Sequence, residues 1–145
     1  MDYSASATEA KNLIEGSLGE ESISCRDFEK IIYLLGYSDC VYPTFYPLLE
    51  DLLNLVEKQT FDDRRELFHM ILGIRIKFAV EQEEAECSQE CRESFAKSLV
   101  RLRRMFFEVL DNLEAGDTAI RNILVGISAC SREVKIANLI RDYEG

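Results

Sequence analysis

The sequence has no tryptophan, a single histidine (His69) and only two prolines, Pro43 and Pro47. With one histidine there is no His-Glu-x-x-His helix, and the chain also lacks a glycine-rich phosphate loop and a Gly-x-Ser-x-Gly elbow. Two prolines and seven glycines leave long stretches free of breakers, which favours helices. No apolar run approaches the roughly 18 residues that a membrane span needs. The N-terminal MDYSASATEA has neither basic residues nor an apolar core, so no secretory leader is expected there. Basic residues are scarce too. Seventeen Lys and Arg against 27 Asp and Glu give a net charge of −10, which repels a phosphate backbone and argues against nucleic acid as the main ligand. The five cysteines, an odd number, lack the paired spacing of a disulfide scaffold, so a reducing, intracellular setting is expected for a soluble protein.

What remains is the composition of a folded domain: 47% apolar residues beside 30% charged ones, enough to build a core without disulfides or metals. Helix signals run from end to end. Residues 7–18 form a short polar helix with Thr8 as its cap, within a marginally ordered segment 1–20. Ser24 and Asp27 make a capping box ahead of Phe28, Ile31, Ile32 and Leu35, and Gly36 supplies a left-handed stop. Residues 37–47 read as a connection, with Pro47 in the first turn of a helix carrying Leu48, Leu49, Leu52, Leu53, Leu55 and Val56. That helix is apolar over more than one face and is expected at the centre. Thr60 and Asp63 open a helix to about Val80, with Phe61, Phe68, Ile71, Leu72, Ile74 and Phe78 as its buried stripe. Gly73 within it suggests a close helix–helix approach. The acidic residues 81–90 read as a solvated helix end and linker.

The clearest pattern follows. Phe95, Leu99, Leu102, Phe106, Val109 and Leu113 step by four and three residues alternately, a narrow seam on one long helix. Gly116 ends it. Ile120, Ile123, Leu124 and Ile127 mark the next helix. Ser131 caps a last one whose inner face is Ile136, Leu139, Ile140 and Tyr143. The expected fold is therefore all-α, a single domain of six to seven helices over residues 1–145, as a compact bundle or a HEAT-like array.

Candidate chemistry is sparse. His69 lies among apolar neighbours, where a structural role is the simpler reading. Cys87 and Cys91, four apart, would share a helix face and could ligate a metal with His69, but structural zinc needs four ligands with tighter pairing, so no metal or cofactor is expected. Cys25, Cys40 and Cys130 read as small core hydrophobes. No catalytic residue is assigned. Two basic clusters interrupt the acidic background: Arg64 with Arg65, and Arg101, Arg103 and Arg104. They are either a solvated face paired with glutamates or an anchor for an acidic motif, gripped by the forks of Arg101 and Arg104. Tyr42, Phe45 and Tyr46 cluster around the prolines and either close the core over a loop or line a peptide groove.

From Phe106 onward the residues follow a recognisable order. A helix ends in Phe-Glu-hydrophobic-Leu-Asp-x-Leu (Phe107 to Leu113), a helix with the pair Val125-Gly126 follows, and a closing helix carries Glu133, Val134, Ala137 and Ile140. This order resembles the end of the helical N-terminal domain of transcription elongation factor TFIIS and elongin A, closest to the elongation factor that binds the histone chaperone Spt-six. The likeness covers about 40 of the 145 residues. Tyr143 stands where that family closes on tryptophan, the loop after Gly126 is shorter, and the Trp-Leu-x-Pro-Leu-Pro-Asp segment of the Spt-six-binding member is missing. The resemblance implies a nuclear, non-catalytic module that docks a short segment of an elongation factor such as the Spt-six chaperone. Against it stand a Bcl-2-like adaptor that captures an amphipathic helix (the Asn-Trp-Gly-Arg segment is absent), an obligate complex subunit, and a small helical enzyme resting on His69 alone.

Overall fold

Two glycines set the geometry of the molecule. The computed structural model describes residues 3–20, 23–58, 65–111 and 117–142, with the side chains of 65–67 and 117 left aside. It contains helices α1 (Ser4–Leu18), α2 (Cys25–Leu34), α3 (Phe45–Lys58), α4 (Arg65–Glu81), α5 (Glu83–Glu86), α6 (Gln89–Asp111), α7 (Asp117–Cys130) and α8 (Val134–Asp142). A two-residue antiparallel ribbon, β1 (Gly36–Tyr37) and β2 (Cys40–Val41), joins α2 to α3. The all-α fold is as expected. The described residues hold eight helices rather than six or seven, because the acidic stretch after α4 winds into the single turn α5.

Helix α4 is the hub. It meets α2, α3, α5, α6, α7, α8 and β2, most extensively α7. Its crossing with α7 is at Gly73 and Gly126, where a Cβ on Gly73 would run into the Asn122 carbonyl oxygen and one on Gly126 would lie 2.9 Å from the Gly73 Cα. The Phe106 ring of α6 covers the same spot, 2.6 Å from that Gly126 Cβ position, so three helices lock at one point. The close approach expected at Gly73 is present. The stripe around it is offset from expectation: Phe68, Leu72, Ile76 and Ala79 are its buried hydrophobic residues, while Ile71, Ile74 and Phe78 are half-buried.

The long seam holds, with Phe95, Leu99, Leu102, Phe106 and Val109 buried along α6. Leu113, like Phe61, Thr60, Asp63 and Gly116, lies outside the described residues. Central α3 buries residues on most of its circumference, as its sequence requires. Ser24 caps α2, its Oγ accepting from the Asp27 N–H at 3.1 Å.

Several local expectations are corrected. The N-terminal segment is a packed helix that starts at Ser4 and buries Ala10 and Ile14; Thr8 does not cap it but donates to the Ser4 carbonyl within it. Gly36 is not left-handed. The reversal falls on Ser38 (φ 55°), and glycine is needed at 36 because a Cβ there would lie 2.6 Å from the Cys40 carbonyl oxygen. Ser131 closes α7 instead of capping α8: its hydroxyl donates to the Ile127 carbonyl, and the chain turns through Arg132 (φ 61°) with Glu133 N–H bonded to the Ser128 carbonyl. The largest reversal is in α8. Ala137 is its buried residue, with Val134 and Asn138 half-buried beside it, whereas Ile136 is 47% and Leu139 72% exposed. Two residues of the stripe expected to face inward thus face out; Ile140 is half-buried, and Tyr143 lies outside the described residues.

The glycine crossing makes a signed prediction. Helix propensity alone says that Gly→Ala stabilises by about 1 kcal/mol, whereas backbone overpacking costs about 1–3 kcal/mol. Gly73→Ala and Gly126→Ala should therefore each destabilise by about 1–2 kcal/mol in urea unfolding. Gly16→Ala, where nothing lies within 4 Å of the new Cβ, should stabilise by up to about 1 kcal/mol. Stabilisation at all three positions would show that the crossing is looser than described.

Candidate functional site

The arginines expected to grip a partner are occupied within the chain. Arg101 of α6 forks onto Glu57 of α3, Nε to Oε1 at 3.2 Å and Nη2 to Oε2 at 2.9 Å. Arg104 reaches the same carboxylate at 3.6 Å and Glu108 at 3.9 Å. The structure thus brings Arg101 and Arg104 together, but as a clamp between α3 and α6 rather than an open anchor. Arg103 points elsewhere: its Nε donates to Ser131 Oγ at 2.9 Å and its guanidinium lies 5.0 Å from the centre of the exposed Phe107 ring. Arg64 is outside the described residues, and of Arg65 only the backbone, at the start of α4, is described.

The aromatic cluster takes the core alternative. Phe45 and Tyr46 are each 1% exposed, so neither lines a groove. The Tyr46 ring meets Phe95 edge-on at 4.8 Å and its hydroxyl donates to the Ala79 carbonyl at 2.7 Å, fastening α3 to α4. Tyr42 stacks on Tyr3 at 4.3 Å, holding the start of α1 against the connection. Beside it the ribbon is pinned to α4. Arg75 donates to the Ser38 carbonyl at 2.7 Å, and Gln82 accepts from Val41 N–H at 2.9 Å while donating to the Asp39 carbonyl at 2.6 Å.

Reactive groups are sequestered. His69 is fully buried, its ring 5.9 Å from Phe106. Cys87 occupies extended backbone after α5, so it does not share a helix with Cys91, and burial pushes its thiol up. Cys130 is buried as expected, but Cys25 is half-buried and Cys40 exposed on the ribbon, so neither is a core residue. Among the described residues no group of three His, Cys, Asp or Glu side chains is placed to hold a metal ion, and no helix is long and apolar enough to cross a membrane.

The surface that stands out is the one sequence reasoning turned inward. Helix α8 contributes no residue to the main core cluster and is tied down by polar contacts. Asn138 Nδ2 donates to Glu81 at 3.3 Å, Glu81 pairs with the buried Lys77 at 3.0 Å, and Arg132 grips Glu83. Its outer face is left with Ile136 and Leu139, one helical step apart. Periodicity marks such a stripe but not its direction. The signal available was Ala137 between polar Asn138 and Val134, a small residue suited to close packing.

Neither a protein-family model nor a curated protein nor a solved structure matches the chain.

Burial of ionisable groups gives an alkaline signature. Burial raises the Tyr46 phenol above its ordinary 10.0 and the Cys130 thiol from 9.0 to about 12. Both are neutral acids whose folded values exceed the unfolded ones. The unfolded chain therefore loses these protons first, and the stability they contribute is intact below pH 9 and falls as pH rises above it. Urea midpoints should decline from about pH 9 upward, and Cys130→Ala should flatten that decline whatever its cost at neutral pH. Tyr46→Phe should cost about 1–2 kcal/mol at pH 7 by leaving the Ala79 carbonyl without its donor.

Proposed function

We propose that this chain is a non-catalytic protein-interaction domain that holds a partner against the outer face of α8. The observation that carries this reading is the exposed pair Ile136 and Leu139 on a helix whose inward side is fixed by Ala137 and by polar tethers. A helix of this composition ordinarily turns its apolar side to the core, and an exposed apolar stripe rimmed by charge (here Lys135, Arg141 and Asp142) is the form that docking sites take.

The resemblance to the TFIIS N-terminal type narrows the partner. Of the residues that carry it, Phe107 to Asp111 lie at the end of α6, Val125 and Gly126 in α7, and Val134, Ala137 and Ile140 in α8, with Glu133 just before it. On this reading the domain works in the nucleus, in transcription elongation, and takes a short segment of an elongation factor such as the Spt-six histone chaperone. The charge of −10 disfavours direct contact with DNA or RNA. The partner's anchor is apolar, because Arg101 and Arg104 are already engaged by Glu57. The same stripe also supports a second reading, a subunit whose α8 is covered by another chain.

Binding of purified Spt-six chaperone to the wild type and to Ile136→Asp/Leu139→Asp tests both. The double variant should keep its helical content and melting temperature and bind at least tenfold more weakly, about 1.4 kcal/mol. Equal binding by both proteins would remove α8 as the surface. No binding by either would remove the elongation reading. A dimer in light scattering that the double variant splits would favour the subunit.

A further inference from the structure

Helix α6 carries a second line of residues, displaced by one position from its buried seam. Ala96, Val100, Arg103 and Phe107 follow one another at steps of four, three and four, and all four are exposed. Val100 is 73% and Phe107 42% exposed. Apolar residues scattered singly on a surface are ordinary. These fall on one face, in the spacing by which one helix lies along another. Valine and phenylalanine also form helix less readily than the lysine, glutamate or alanine that would serve a solvated position, so local structure gives no reason for them.

Arg103, in the middle of this line, is held in place without a countercharge. Its Nε donates to Ser131 Oγ at 2.9 Å, and that hydroxyl is itself fixed by donating to the Ile127 carbonyl at 3.1 Å. Its guanidinium lies 5.0 Å from the centre of the Phe107 ring. Arg101 and Arg104 of the same helix both reach Glu57. Among the described residues no carboxylate pairs with Arg103. With Nε engaged by Ser131, the two terminal nitrogens form the open end of the fork, the edge that meets a carboxylate in bidentate fashion.

We infer that this face of α6 receives an amphipathic helix of a partner protein, with an acidic residue at its centre. Apolar side chains one helical step to either side of that acid seat on Val100 and Phe107. Its carboxylate takes the two terminal nitrogens of Arg103. Charge selects this occupant. A purely apolar helix would cover the guanidinium and leave it without a counterion, at a desolvation cost, and a basic helix would meet it with like charge. Because Ser131 and the Phe107 ring already hold the guanidinium, little side-chain freedom is lost on docking. This face is independent of the α8 surface, since Ile136 and Leu139 take no part in it.

The test titrates an alanine-based helical peptide into the ¹⁵N-labelled chain by NMR. The peptide carries leucine at its fourth and eleventh positions and glutamate at its eighth; a control has glutamine in place of the glutamate. Saturable shifts from Ala96 to Phe107 and at Ser131 are expected, with the glutamate peptide bound about fivefold more tightly than the control. Arg103→Gln should erase that preference, and Val100→Asp should weaken both peptides about tenfold, each with amide dispersion that shows an intact fold. Ile136→Asp/Leu139→Asp should leave this binding unchanged, so the two surfaces fail or stand separately. Equal affinity for the two peptides, a preference that survives Arg103→Gln, undiminished binding by Val100→Asp, shifts away from α6, or no saturable response would each overturn the assignment.

Discussion

Contact between the bare backbones of α4 and α7 at Gly73 and Gly126 is the constraint on which the arrangement depends. Helices normally pack 8–10 Å apart because side chains separate them; here a hydrogen atom on each side is all the space permits. Phe106 of the seam closes over the junction, which positions α6, and His69 meets that same ring. The lone histidine is thus part of the wall around the crossing and unavailable to any solute. Helix α3 is then fixed from two directions, by the Tyr46 hydroxyl on α4 and by the Glu57 clamp on α6.

The distribution of charge follows from this packing. Arginines that looked like a free basic patch are consumed in joining elements: Arg101 and Arg104 join α6 to α3, Arg75 holds the ribbon to α4, and Arg132 fastens the α7–α8 turn to Glu83. These pairs take up Glu57 and Glu83, so part of the chain's cationic charge joins elements together.

Much of the fold was legible because helical periodicity is a property of the chain itself. The seam from Phe95 to Val109, the capped start of α2 and the broad buried face of α3 follow from spacing alone. So does the role of Gly73, since a mid-helix glycine that costs helix stability generally has a packing reason. What periodicity does not carry is direction. The stripe Ile136–Leu139 reads the same whether it faces core or solvent, and only Ala137 and the polar tether through Asn138 decide it. The ribbon was missed because two residues per strand are too few for alternation to register, and its stability comes from Arg75 and Gln82, distant in sequence. The candidate site was less legible than the fold. The reach of Glu57 to Arg101 and Arg104 arises where α3 and α6 meet.

The Gly73–Gly126 junction also bears on how the chain is made. Helix α4 emerges from the ribosome well before α7, with α5 and the long α6 between them. Until α7 arrives, Gly73 of α4 lacks the Asn122 and Gly126 backbone that it meets in the fold. A contact between segments this far apart in the chain closes only once most of the chain has been made, and such non-local contacts slow folding.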